Sequence, residues 1–152
     1  MANGVFAIYL RASLYLGTIM SVPAHTEQAP NHRADQYDDP SYNYLDYWLD
    51  RDYEHQAEVM AIKRLLKGRH FDEAVDIGGG YGRLSVLLKQ FATNVTLVEP
   101  SQQQLDLAKT FLRDHGSIKR CLMSANDIQL KDNSVDLVLF VRVMHHLPDP
   151  KR

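Results

Sequence analysis

Four short, almost continuous apolar runs lie at residues 74–77, 95–98, 118–123 and 135–141. Between them apolar residues recur every three or four positions: Leu84, Leu87, Leu88 and Phe91, then Leu105, Ala108, Phe111 and Leu112. A continuous apolar run closed by turn residues reads as a strand buried on both faces. Three-to-four spacing reads as one face of a helix. Ser101 with Gln104 forms a capping box for the second helix, and Gly116 ends it. Upstream, residues 54–67 predict a further helix with Ala57, Met60, Ala61 and Leu65 on its apolar face and Gly68 as its stop. The order is helix, β, α, β, α, β, loop, β. That alternation predicts an α/β fold: a parallel sheet with helices on both faces.

The rest of the chain carries weaker patterns. Residues 37–53 hold five of the eight tyrosines and the single tryptophan. This is too aromatic for disorder and predicts irregular structure with a short helical turn at residues 45–49. It serves either to pack over the core as a lid or to touch a substrate. Residues 21–36, with Pro23 and Pro30 and no periodicity, read as a linker. Residues 5–20 are apolar apart from Arg11 and small polar residues, too short and too broken to cross a bilayer as a helix. They are a secretory leader, for which Val22 and Ala24 have cleavage-site spacing, an extension upstream of Met20, or part of the fold. In the first two readings, which are the expectation, they pack against nothing. Three segments follow: an extension and linker over 1–36, a tyrosine-rich segment with its helix over 37–71, and a ligand-binding domain over 72–152.

Composition agrees with a globular domain: 45% of residues are apolar and 24% charged, with a net charge of −2. Such a balance favours neither nucleic acid nor a membrane surface as partner. The lone Cys121 cannot form an intrachain disulfide and lies in an apolar run, which predicts a buried thiol in a reducing compartment.

The chemistry concentrates at residues 75–84, VDIGGGYGRL. A strand ends in Asp76, Gly78, Gly80 and Gly82 alternate, and a helix begins. Glycines permit a tight turn and let a ligand approach the backbone, and a helix N-terminus offers free N–H groups. Glu99, 21 residues after Gly78 and at the end of the next strand, can accept hydrogen bonds from ribose hydroxyls. The pair predicts a nucleoside site. A dinucleotide fingerprint of form G-x-G-x-x-G needs glycine where this chain has Arg83 or Ser85, and no G-K-[ST] for a phosphate loop occurs.

These residues resemble a known family. Asp76-Ile77-Gly78-Gly79-Gly80-Tyr81-Gly82 is similar to the first motif of class I, Rossmann-like, S-adenosyl-L-methionine-dependent methyltransferases, and Glu99 to their ribose-binding acid. SANDIQL at 124–130 looks like the loop after their third strand. NSVDLVLFVRVMHHLPDP at 133–150 resembles the fourth strand and exit loop of the small-molecule subgroup that includes ubiquinone and menaquinone methyltransferases. The resemblance covers residues 72–150. It implies that Gly78, Gly80 and Gly82 form the cofactor loop, with Asp76 orienting it toward the cofactor's amino group. It further implies that Glu99 holds the ribose and Asp127 the adenine amine, that Ile128 packs on the ring, and that Phe140 offers a backbone carbonyl to the amino-acid portion. The strand order it implies is 3-2-1-4, with the cofactor at the switch point between the first and fourth strands.

The expected function is methyl transfer to a small-molecule acceptor in the cytoplasm. The alternatives are a non-catalytic methyltransferase-like nucleoside-binding module and an NAD-dependent oxidoreductase. The adjacent His145 and His146 cannot both face one metal from a helix, and no carboxylate sits at ligand spacing, so no metal is expected. A general-base role for either stays open, and no residue is assigned to catalysis. The family fold has seven strands and this chain four, which predicts a fragment whose fourth strand has a bare, association-prone edge.

Overall fold

The computed structural model describes residues 6–10, 36–39 and 41–147. Five parallel strands form one sheet: β1 (Phe6–Leu10), β2 (Phe71–Ile77), β3 (Ala92–Glu99), β4 (Ile118–Leu122) and β5 (Leu137–Val141). Their order across the sheet is β1-β5-β2-β3-β4. The four strands expected from the apolar runs are β2 to β5, and they lie in the order 3-2-1-4.

The fifth strand corrects the expected bare edge. β1 pairs in parallel along the outer side of β5, with Ile8 opposite Leu139 and Leu10 opposite Val141. Ile8 is 3% exposed and belongs to the main core. An apolar β5 has both faces to bury and two sides to hydrogen-bond, and the segment FAIYL, rich in β-formers, satisfies the outer side. The expectation that residues 5–20 pack against nothing therefore fails at Phe6–Leu10; its remainder, like the linker over 21–35, lies outside the described residues.

Four helices follow: α1 (Tyr44–Leu49), α2 (Asp52–Leu66), α3 (Ser85–Leu88) and α4 (Gln102–Phe111). The buried side of α2 is not the predicted one. Ile62 and Leu66 are fully buried, whereas Met60 is 68% and Leu65 48% exposed. Both stripes of this helix are apolar, so spacing alone could not choose between them. The buried stripe also carries Glu58 and His55, which meet the glycine loop.

The sheet separates two clusters. One gathers Ile62 and Leu66 of α2, Leu87 and Leu88 of α3, and Leu105 and Ala108 of α4 against Leu97, Leu137 and Leu139. The other packs Val75, Ile77, Val98 and Phe140 under Val143, Met123, Ile128 and Leu130. Helices on both faces were expected. Among the described residues the second face is covered by loop side chains instead. Cys121 is half-buried on that face, not fully enclosed. The registry of β5 is fixed at its start, where the Asp136 carboxylate accepts from the Asp72 and Glu73 N–H groups at 3.2 and 3.0 Å. No described helix is long and apolar enough to cross a membrane.

Candidate cofactor site

The carboxyl ends of β2, β3 and β5 open onto a cavity of about 560 Å³, walled by Gly78, Gly80, Glu99, Gln104, Ser124, Asn126 and Arg142, with Tyr37, Tyr44 and His146 closing it. The loop after β2 turns through three glycines of positive φ, Gly78 (65°), Gly80 (59°) and Gly82 (91°), a region closed to most side chains. A Cβ on Gly78 would meet Val143 at 2.5 Å, and one on Gly80 would meet the Tyr44 ring at 3.1 Å. The room beside each glycine is thus occupied by the protein itself, and the backbone turn is the stronger reason for these residues.

Glu99 is 5% exposed at the end of β3. Its Oε2 accepts from the Gly80 N–H at 2.9 Å and its Oε1 from the Ser101 N–H at 3.0 Å. The carboxylate thus ties the glycine loop to the start of α4. A carboxylate oxygen can accept more than one hydrogen bond.

Asp76 adjoins this cavity in a recess of about 30 Å³ that it shares with Gly78, Gly79, Arg83 and Arg142. Burial pushes its carboxyl up to about 6, although the Ser85 hydroxyl, donating at 2.7 Å, and the charge of Arg83 pull the other way. A carboxyl so placed is readily ionised by an arriving cation.

The arginines around the recess are themselves held. The Glu58 carboxylate accepts from Arg83 at 2.6 Å and from Arg142 at 2.5 Å. Arg83 also lies over the Trp48 ring, 3.7 Å from its centroid, and 2.5 Å from His55 Nδ1. Burial and the neighbouring Arg83 charge hold His55 below the usual histidine range. Arg142 has a positive φ of 62°, rare for a branched-off long side chain, at the exit of β5.

Of the residues expected at the site, Gly78, Gly80 and Glu99 share the cavity wall and Asp76 the adjoining recess. Gly82 does not reach it: its missing Cβ makes room for Leu112, which would lie 2.8 Å away. Asp127 is exposed and closes a turn with its N–H on the Ser124 carbonyl at 3.0 Å, so that Asn126 takes the wall position. Ile128 and Phe140 are taken up by the second apolar cluster, and the wall at the end of β5 is Val141, Arg142 and Val143. Sequence reasoning missed Gln104, Arg142 and the cavity-facing Tyr37 and Tyr44. Arg142 carried a signal, as a lone charge closing an apolar strand. The tyrosine-rich segment packs over the core and borders the cavity. Tyr37 and Tyr44 wall the cavity, and the segment is docked on α4 through Ser101, whose hydroxyl donates to Asp38 at 2.7 Å. His146 stands at the rim, 3.3 Å from the Tyr37 hydroxyl, while His145 faces it and is held below the usual histidine range by burial and by His146. No cluster of three metal-ligating side chains occurs among the described residues.

A methyltransferase-domain family matches residues 75–152, half of the chain. This chain belongs to the class I S-adenosylmethionine-dependent methyltransferases. It is 35% identical over 78 residues to uncharacterized methyltransferases of Mycobacterium tuberculosis and Mycobacterium bovis, a match spanning 51% of this chain and 30% of theirs. The chain therefore spans about a third of the length of these curated relatives. An S-adenosylmethionine-dependent methyltransferase of Leishmania major superposes with a TM-score of 0.53 at 27% identity, over 59% of this chain and 38% of that one. A phosphoethanolamine N-methyltransferase of Haemonchus contortus, solved with phosphoethanolamine and S-adenosylhomocysteine, does so with a TM-score of 0.54 at 25% identity, over 68% of this chain and 22% of that one. The methyltransferase cofactor suits the donor set here: a pinned carboxylate for sugar hydroxyls, a recessed carboxyl for an ammonium, and a glycine turn between them.

Proposed function

We propose that this methyltransferase chain forms the cofactor-binding portion of an enzyme that transfers a methyl group from S-adenosyl-L-methionine to a small-molecule acceptor in the cytoplasm. The observation that carries the reading is the Glu99 carboxylate, buried, pinned by Gly80 and Ser101, and set on a cavity wall beside Gly78 and Gly80. Glu99 holds the ribose hydroxyls, Gly78 and Gly80 line the path of the cofactor, and Asp76 faces its ammonium end. The adenine end lies toward the turn at 124–128, with Asn126 on the wall and Asp127 and Ile128 behind it. Gly82 shapes the loop, and Phe140 anchors the strand whose exit borders the amino-acid end.

The bound sulfonium supplies an already activated methyl group. The chain's own residues need then only align the partners and exclude water. Tyr37, Tyr44 and His146 form the wall best placed to do so, and a concave, aromatic-lined cavity of this size suits a small molecule. The acceptor of the Haemonchus relative is itself small. Arg83, where a dinucleotide fingerprint needs glycine, is committed to Glu58 and Trp48, which disfavours NAD.

Titration calorimetry of the full chain with S-adenosylhomocysteine and NAD tests this reading. We expect binding of the first and none of the second. Glu99→Ala should weaken binding by about 2–4 kcal/mol, the loss of two hydrogen bonds to a charged acceptor. Preference for NAD, or equal affinity of the variant, would refute the assignment.

A further inference from the structure

Gln104 lies in the first turn of α4 and is 1% exposed. Its backbone N–H donates to the Ser101 hydroxyl at 3.2 Å, one half of the capping box read from the sequence. The other half requires its side chain to turn back onto the Ser101 N–H. That N–H is already given to Glu99. The amide of Gln104 is displaced toward the glycine loop, where its Oε1 lies 4.0 Å from the Cβ position of Gly80. Among the described residues neither its Nε2 nor its Oε1 has a hydrogen-bond partner, although both atoms are buried and the residue lines the cavity.

A buried amide with both ends unpaired is rare and destabilising on its own, so its place on a ligand-sized cavity needs a reason. Its chemistry differs usefully from that of its neighbour. Glu99 only accepts, so a hydroxyl bound there donates its single proton and keeps its lone pairs unmet. A primary amide donates and accepts at once. We propose that Gln104 reads the sugar of the bound nucleoside, donating through Nε2 to the ribose hydroxyl oxygens whose protons Glu99 accepts, so that Glu99 and Gln104 together recognise a vicinal diol. The assignment rests on the nucleoside reading of the site given above.

Calorimetry of the wild-type chain and Gln104→Met with S-adenosylhomocysteine and with its 2′-deoxy and 3′-deoxy counterparts tests it, together with thermal melting of the ligand-free proteins. Gln104→Met should bind S-adenosylhomocysteine about tenfold or more weaker, as expected for lost hydrogen bonds in a buried site. The wild type should discriminate against at least one deoxy ligand, and the variant should lose most of that discrimination. The ligand-free variant should melt no lower than the wild type, because an unpaired amide has been replaced by a side chain of similar shape. A purely structural glutamine gives the opposite pattern, a lower melting temperature with affinity and discrimination unchanged, and overturns the proposal. Gln104→Leu repeats the comparison should the first variant fold poorly. Wild-type protein that binds both deoxy ligands as tightly as the parent also overturns it, whatever the variants do. Wild-type protein that binds no S-adenosylhomocysteine removes the nucleoside reading itself, and the role of Gln104 with it.

Discussion

Asp76 couples the stability of this domain to pH in a direction opposite to that of most carboxylates. Its side chain is fully enclosed, and burial raises it from the ordinary 3.8 to about 6. Below pH 4 the carboxyl is protonated whether the chain is folded or not. Between pH 4 and 6 the unfolded chain loses the proton while the folded one keeps it. Folding stability therefore falls as pH rises through this window and is level above it. At about 1.4 kcal/mol per pH unit the loss comes to about 3 kcal/mol. Asp76→Asn keeps an oxygen to accept from the Ser85 hydroxyl and cannot ionise. Urea denaturation of both proteins from pH 4 to 8 should show the variant gaining on the wild type by up to about 3 kcal/mol, almost all of it between pH 4 and 6. A difference independent of pH would refute the argument. The proposed function adds a second readout: an ammonium arriving beside Asp76 favours its ionised form, so S-adenosylhomocysteine binding near pH 6 should release a proton. Calorimetry in buffers of different ionisation enthalpy measures it.

Two further outcomes follow from packing. Ile8→Ala should destabilise the domain by about 2–4 kcal/mol, the ordinary cost of truncating a buried isoleucine; an unchanged urea midpoint would place Phe6–Leu10 outside the core. Glu58→Gln should cost about 2–3 kcal/mol by leaving Arg83 and Arg142 half-buried with a neutral partner, and should weaken S-adenosylhomocysteine binding as Arg142 loses its anchor beside the recess. Stability and affinity both unaffected would mean that the double ion pair organises nothing.

What could be read from the sequence was set by how local each signal is. β2 to β5 are short apolar runs closed by turn residues, and each was recognisable without knowing its neighbours. β1 was not. Its five residues sit inside a longer apolar stretch broken by Arg11, and what makes them a strand is the unsatisfied side of β5, more than a hundred residues away. The wrong face of α2 has the same origin: both stripes of the helix are apolar, and Glu58 on the buried one meets Arg83 and Arg142, which are distant in sequence. Glu99 was legible because it follows a strand at the expected interval from the glycines. Gln104 was hidden by a correct local rule. It occupies the capping-box position, but Glu99 takes the N–H that the box would use.

The division between what family membership explains and what it does not falls at a definite place in the molecule. The matched residues begin at 75 and contain the glycine loop, Glu99, Gln104, Asn126 and His146, hence most of the polar lining of the cavity. Tyr37 and Tyr44, which also line the cavity, lie before them. These tyrosines are not a loose appendage. The Ser101 hydroxyl oxygen lies 2.7 Å from the Asp38 carboxylate and 3.0 Å from the Tyr37 carbonyl, Gln103 donates to the Tyr42 carbonyl at 2.9 Å, and Tyr44 packs edge-on against both Trp48 and Tyr81. Trp48 lies beneath Arg83, and Glu58 joins Arg83 to Arg142 at the cavity edge. A change of side chain between residues 37 and 58 would thus reshape the part of the cavity wall that packs on Gly80 and Arg83. Under the proposed function, the tyrosine-rich segment completes, from outside the matched residues, a site whose cofactor-binding groups lie within them.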